Sequence, residues 1–319
     1  MRPWNVALAL LLLAPAALAQ GPATRPIAVV DHVLIISVDG LRPDLIARAK
    51  AEHISSLMDS GAFSLWALTI PSCNTLPSHV SMLTGVTMEK HGIEFNDERS
   101  TTRPIYTTAT TIFELAKRAG YTTALVSGKS KFQALAKPGS IDWLSAPELP
   151  KTSDDIVADN AGTLIRLFKP GLMFVHFPGA DSAGHSKGWG SREQIDTIAN
   201  IDRNIGMLMN ALKTSGMAER TVVILSADHG GSGRSHGASI ANSRTIPWIV
   251  CGPGIRVNHD LTLSKDLTIN TMDTFATACW LLGIELPEGI DGKPIKAILP
   301  PGELLQPAPT SAPASAPAR

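Results

Sequence analysis

Cysteine is scarce in this 319-residue chain, tyrosine scarcer still, and net charge is absent. Three cysteines, Cys73, Cys251 and Cys279, are too few for a disulfide-stapled scaffold, so the fold must rest on a hydrophobic core. The simplest reading makes all three small buried hydrophobes, with a Cys251–Cys279 bridge as the alternative in an exported chain. Lys and Arg total 28 against 28 Asp and Glu, which removes the basic surplus a nucleic-acid binder uses to displace counterions. With 2 Tyr, 6 Trp and 8 Phe, the core is mostly aliphatic. Beyond the first residues no apolar run approaches the ~20 positions a membrane-spanning helix needs. Disorder is excluded in turn, because 44% hydrophobic residues suffice to offset the ordering entropy.

What is present begins with a leader. Arg2 precedes the apolar run 6–13, and Ala17-Leu18-Ala19 closes it with a small-x-small ending, the pattern of a signal peptide cut after Ala19. The expected location is therefore periplasmic or secreted. Between Gln306 and Arg319 the chain is Pro, Ala, Ser and Thr without a large apolar residue, so residues 306–319 are expected to be a disordered tail. One domain, residues 20–305, lies between. Short apolar runs at 33–38, 123–127, 172–177, 222–226 and 248–251 read as strands buried on both faces, with 63–70 strand-like as well. Helical spacing is found at 43–59, 76–83, 110–119, 153–168, 192–214 and 270–282. Alternation of this kind predicts an α/β fold with a mainly parallel sheet, whose ligands gather at the carboxyl ends of the strands.

Those ends carry acids and imidazoles. Run 33–38 leads into Asp39-Gly40, run 172–177 into a loop with Asp181 and His185, and run 222–226 into Asp228-His229, with His236 seven residues on. One Asp at a strand end is ordinarily a helix cap. Three of them with three His in attached loops point instead to a shared cation site. Carboxylates and imidazoles without thiolates suit Zn²⁺, with Mn²⁺ second, and six ligands suit two ions rather than one. Two such ions can clamp the entering and leaving oxygens of an in-line phosphoryl displacement. Three carboxylates and one deprotonated nucleophile would cancel the charge of both.

A hydroxyl for that role stands at Thr75, in Asn74-Thr75-Leu76-Pro77-Ser78-His79. Pro77 in a first helical turn places Thr75 at the N-cap, where the helix end favours an anion; a cap alone is the plainer alternative. Lys129, after run 123–127, is a candidate contact to a substrate phosphate or carboxylate, or else a solvated loop lysine. His79 and His91 read as structural, His32, His53 and His176 as strand or helix neighbours, and Asp154-Asp155 as a helix N-terminus.

Together, Ser37-Val38-Asp39-Gly40-Leu41-Arg42-Pro43, Asn74-Thr75-Leu76-Pro77, His91-Gly92-Ile93-Glu94-Phe95-Asn96, Asp181-Ser182-Ala183-Gly184-His185 and Ala227-Asp228-His229-Gly230 resemble the nucleotide pyrophosphatase/phosphodiesterase branch of the alkaline phosphatase superfamily. The resemblance implies a three-layer αβα sandwich. It implies one Zn²⁺ held by Asp39, Asp228, His229 and the Thr75 oxygen, and a second held by Asp181 and His185. It makes Thr75 the nucleophile of a phospho-Thr intermediate and Asn96 a donor to a phosphate oxygen, with the Thr75 amide as its partner. The family's third His lies far downstream, whereas here His236, nearer and similar to that of the phosphoethanolamine transferases, is preferred to His259. The chain also lacks room for the insertions that build nucleotide pockets in larger relatives. Sulfatases share the fold, but Thr75 cannot become formylglycine. The expected activity is hydrolysis of phosphodiester or pyrophosphate bonds in a small phosphorylated substrate. A phosphomonoesterase or phosphoethanolamine transferase on the same core is the alternative, and a non-catalytic binding protein a more distant one.

Overall fold

The computed structural model describes residues 25–97, 105–148 and 151–301. The expected leader (1–19) and tail (306–319) lie outside the described residues. Among the described residues eight strands form one sheet: β1 (His32–Val38), β2 (Gly61–Leu68), β3 (Thr123–Ser127), β4 (Trp143–Ser145), β5 (Leu172–Phe177), β6 (Thr221–Ser226), β7 (Thr245–Cys251) and β8 (His259–Asp260). Their spatial order is β4-β3-β5-β1-β6-β7-β2-β8. Pairs β3–β4, β3–β5, β1–β5, β1–β6 and β2–β8 are parallel, while β7 runs antiparallel to both β6 and β2. The mainly parallel sheet is as the sequence predicts.

The three central strands β5, β1 and β6 are buried along nearly their whole length, which is why they read as unbroken apolar runs rather than alternating ones. Each fully buried Ile or Leu in them contributes about 1.5–3 kcal/mol. Register fixes where the chemistry emerges: Ser37 of β1 pairs with His176 of β5 and with Ser226 of β6. Asp39, Asp181 and Asp228 therefore leave the sheet at one edge.

Nine helices flank the sheet among the described residues: α1 (Pro43–Arg48), α2 (Glu52–Asp59), α3 (Thr75–Thr84), α4 (Met88–His91), α5 (Ile112–Arg118), α6 (Asp154–Phe168), α7 (Gly179–Lys187), α8 (Arg192–Thr214) and α9 (Asp273–Leu281). The principal helix contacts join α1, α2, α6 and α7 to α8 as one group, and α4 and α9 to α3, with α5 on α9, as another. α8 begins where Ser191 Oγ accepts the Gln194 N–H, and it buries Ile198, Ile201, Ile205, Leu208 and Leu212 as one stripe.

Three expectations change, and two strands are new. The helix expected over 43–59 is two, α1 and α2, because Lys50 adopts a left-handed φ of 49° between them. Asp181 and His185 sit on helix α7 rather than in a loop. Asn74, extended at φ −99°, is the N-cap of α3, so Thr75 is that helix's first residue. Finally, β4 and β8 are too short to leave a hydrophobic run.

Candidate metal centre and nucleophile

Gly40 joins the elements that carry the acids. Directly after Asp39 it takes a φ of 73°, and a Cβ there would lie 3.0 Å from the Asp181 Cα. Its N–H donates to Asp228 Oδ1 at 3.1 Å, and its carbonyl accepts the Trp189 indole N–H at 2.9 Å. On α7, Asp181 and His185 are one turn apart and share a face. α3 is tied to the end of β6 by Ser78 Oγ, which donates to the Asp228 carbonyl at 2.8 Å. Cys73, held at φ 51°, turns its carbonyl to accept the His236 Nδ1–H at 2.7 Å. The three cysteine thiols are free and buried.

Every acid in the cluster has one oxygen held by a protein donor and one left over. Asp39 Oδ2 accepts from Lys129 Nζ at 2.7 Å and from His176 Nε2 at 2.9 Å. Asp181 Oδ2 accepts from Lys129 Nζ at 2.7 Å. The remaining oxygens, Asp39 Oδ1, Asp181 Oδ1 and Asp228 Oδ2, are buried without a hydrogen-bond donor among the described residues. Histidines show the complementary pattern. Nδ1–H of His229 donates to Gly230 O at 2.8 Å, that of His185 to Arg234 O at 3.0 Å, and that of His236 to Cys73 O. Each leaves Nε2 facing the orphaned oxygens: His229 is 3.2 Å from Asp228 Oδ2 and 3.4 Å from Asp39 Oδ1, and His185 is 3.2 Å from Asp181 Oδ1. Lone pairs of nitrogen and oxygen facing one another repel, and leaving such groups unsatisfied in the interior costs free energy. A divalent cation relieves both, and imidazoles fixed by Nδ1–H···O=C bonds are the orientation metal ligands take. The residues fit the expected ions.

Two overlapping sets emerge. Asp181, His185 and His236 place one ligand atom each within 4.8 Å of one another, and so do Asp39, Asp181 and His229. Asp228 joins the second set through its contact with His229 Nε2. The His229 and His236 rings stack with centroids 3.7 Å apart, which brings the two sets side by side.

Burial dominates the electrostatics. It would raise Asp39, but the Lys129 ammonium and the hydrogen bond from His176 hold that carboxyl well below the usual range. For Asp181, burial and the Asp39 charge are overcome by Lys129, His185 and His229, so it too is lowered. Asp228 lacks so close a counter-charge, and burial together with Asp39 pushes it well above the usual value. Burial lowers His229, and lowers His236 to about 4.

Thr75 Oγ1 lies 3.4 Å from His229 Nε2, within the same cluster. Asn96 reaches the first turn of α3, where its Oδ1 accepts the Leu76 N–H at 2.9 Å. With Oδ1 so used, the Asn96 amide N–H₂ remains the donating end. Lys131 Nζ donates to Asn96 O at 2.6 Å and fixes that segment. Lys129 is 7% exposed and bound to two carboxylates, not the solvated alternative. His259, passed over for His236, lies on β8 beside β2 and outside both ligand sets.

Sequence reasoning read His79 as structural, as it is, but missed the hydrogen bond of His176 to Asp39. His79 Nδ1–H donates to Thr75 O at 2.7 Å, and its Nε2 accepts from Ser37 Oγ at 2.7 Å. The signal for His79 was its i+4 spacing from Thr75. For His176 it was a polar residue in an otherwise apolar strand. A cavity of about 190 Å³ is lined by Pro71 and Ser72, just ahead of Thr75, but by none of the ligand residues.

A mainly parallel α/β sheet that gathers three carboxylates, three imidazoles and a hydroxyl at one edge defines the alkaline phosphatase-like class. Within it, the family model for type I phosphodiesterase / nucleotide pyrophosphatase matches residues 33–240, and the chain belongs to that family. Human ectonucleotide pyrophosphatase/phosphodiesterase family member 5 is 24% identical over 220 residues, covering 63% of this chain and 45% of the relative. Bis(5'-adenosyl)-triphosphatase enpp4 of Xenopus laevis is 22% identical over 242 residues, covering 70% and 51%. The chain thus spans about half the length of these relatives. Among solved structures, an inactive form of murine ectonucleotide pyrophosphatase/phosphodiesterase 5 in complex with AMP superposes with a TM-score of 0.69 at 15% identity, covering 85% of this chain and 100% of that one.

Proposed function

We propose that this chain is an exported metal-dependent phosphohydrolase that cleaves phosphodiester or pyrophosphate bonds through Thr75. The observation that carries the reading is that three buried carboxylate oxygens without a donor among the described residues are faced by three histidine Nε2 atoms, with the Thr75 hydroxyl 3.4 Å from one of them, His229. Asp39, Asp228 and His229 would hold one Zn²⁺, with Asp181, His185 and His236 holding the second. Those ions, when bound, supply the positive charge that ionises a hydroxyl and neutralises phosphate oxygens. Thr75 Oγ1 attacks phosphorus, the ester or pyrophosphate oxygen departs, and water hydrolyses the phosphothreonine. The Asn96 amide and the N-terminus of α3 donate to a non-bridging oxygen, where charge develops. Nucleotide phosphoesters, named in the family and its relatives, are the substrate class to try first. Among the described residues no helix is long and apolar enough to cross a membrane. The pattern of residues 1–19 supports export.

The test compares bis(p-nitrophenyl) phosphate, p-nitrophenyl phosphate and p-nitrophenyl sulfate, with wild type and Thr75→Ala. Diester turnover should exceed both others and vanish in Thr75→Ala while bound metal persists. Faster monoester turnover would assign a phosphomonoesterase, and activity retained in Thr75→Ala would remove Thr75 as the nucleophile.

A further inference from the structure

We propose that Lys129 is a positioning residue that couples the two metal half-sites, and that the Asp181 half-site depends on it more than the other does. The inference rests on the two-metal reading above. Lys129 Nζ lies 2.7 Å from Asp39 Oδ2 and 2.7 Å from Asp181 Oδ2. One ammonium thus holds the inner oxygen of an acid in each half-site and leaves each Oδ1 to face the histidines. Both acids are thereby limited to presenting one oxygen, and their rotation about Cβ–Cγ is fixed. Lys129 is itself held firmly: its N–H donates to Ser127 Oγ at 3.1 Å, and its carbonyl accepts from that hydroxyl at 3.0 Å. Gly128 packs against the Pro178 ring, where a Cβ would meet the ring at 2.3 Å, so the loop cannot slide.

The coupling is asymmetric. Asp39 Oδ2 has a second donor in His176 Nε2 at 2.9 Å, whereas Lys129 is the one donor to Asp181 Oδ2 among the described residues. Without Lys129, Asp39 stays anchored and Asp181 is free to rotate. The residue would then act on the metals through the two carboxylates rather than by touching substrate. It also supplies the counter-charge that lets Asp39 and Asp181 lie side by side before any ion arrives.

The experiment measures bound Zn²⁺ by elemental analysis and titration calorimetry for wild type, Lys129→Met, Lys129→Gln and His185→Ala. Wild type should bind two ions. Lys129→Met should keep one at near-native affinity and bind the other about 10–100-fold more weakly, matching His185→Ala. Lys129→Gln, which retains a neutral donor, should fall between wild type and Lys129→Met, and it carries the test if the Met variant does not fold. Two ions at native affinity in the Lys129 variants, with only KM raised, would make Lys129 a substrate contact and overturn the proposal. Loss of both ions would overturn the asymmetry. Fewer than two ions in wild type would refute the two-metal reading instead.

Discussion

Replacing Gly40 with Ala places a methyl group where three parts of the site meet. The new Cβ would lie 3.0 Å from Asp181 Cα, 3.1 Å from its Cβ and 3.2 Å from its N. All three contacts are tighter than ordinary van der Waals separation, and two are to backbone, so relief requires α7 to move. The φ of 73° adds the left-handed penalty of roughly 1–2 kcal/mol for a residue with a Cβ. Overpacking of a closed site costs a further ~1–3 kcal/mol. The sum, about 2–5 kcal/mol, corresponds to a fall in Tm of roughly 3–10 °C for a domain of this size. Binding should suffer separately, since a shift of α7 carries Asp181 away from Asp39 and strains the Gly40 N–H···Asp228 bond. Differential scanning calorimetry of metal-free and Zn²⁺-loaded protein separates the two effects. Gly40→Ala should melt lower in both states, with a smaller gain on adding Zn²⁺ than wild type shows. A variant with native Tm and native gain would refute the close approach of Gly40 to Asp181 of α7 on which the site is built.

Further expectations concern the ions, the donor and an acid on α6. Chelation by EDTA should lower Tm as well as abolish turnover, because each ion at a hundredfold excess over Kd contributes about 2.7 kcal/mol; an unchanged Tm would count against bound metal. Asn96→Ala should reduce kcat about 10²–10³-fold with metal content intact, and a change confined to KM would assign Asn96 to ground-state binding only. Asp154, on α6, accepts the Gly179 N–H at the start of α7 at 3.0 Å. Burial, with Asp155 and Asp39 nearby, raises it to about 7. The native state keeps that proton where the unfolded chain has lost it, so stability from this group is present at low pH and lost as pH rises from about 4 to about 7. Asp154→Asn preserves the acceptor without the charge, and should be more stable than wild type at pH 8 by about 2–4 kcal/mol but not at pH 4. Urea titrations at the two values check this, and a pH-independent difference would refute it.

Much of the fold was legible because the central strands are buried on both faces. β5, for example, was readable at its observed bounds, Leu172–Phe177. α8 was legible for a similar reason: its stripe of Ile and Leu repeats over many turns and can lie on one face only as a helix. The break between α1 and α2 was not, because the positive φ of Lys50 belongs to a residue without turn character. α7 hid behind small and polar residues; its helical form follows from docking on α8, not from an apolar stripe. β8 owes its existence to pairing with β2 at Ala62 and Phe63, a contact that no local pattern encodes.

By itself the sequence determined the chemistry available: which acids, imidazoles and hydroxyl stand at the ends of apolar runs, and that those runs become buried strands. These are local properties of composition and period. Only the tertiary structure decided which oxygen of each acid is tied and which is presented, because that depends on donors distant in the chain. Lys129 reaches Asp39 and Asp181, Gly40 reaches Asp228, and the Cys73 carbonyl holds His236. A lysine after a strand reads as solvated until parallel pairing of β3, β5 and β1 brings it beside two carboxylates, where burial and charge make it part of the site.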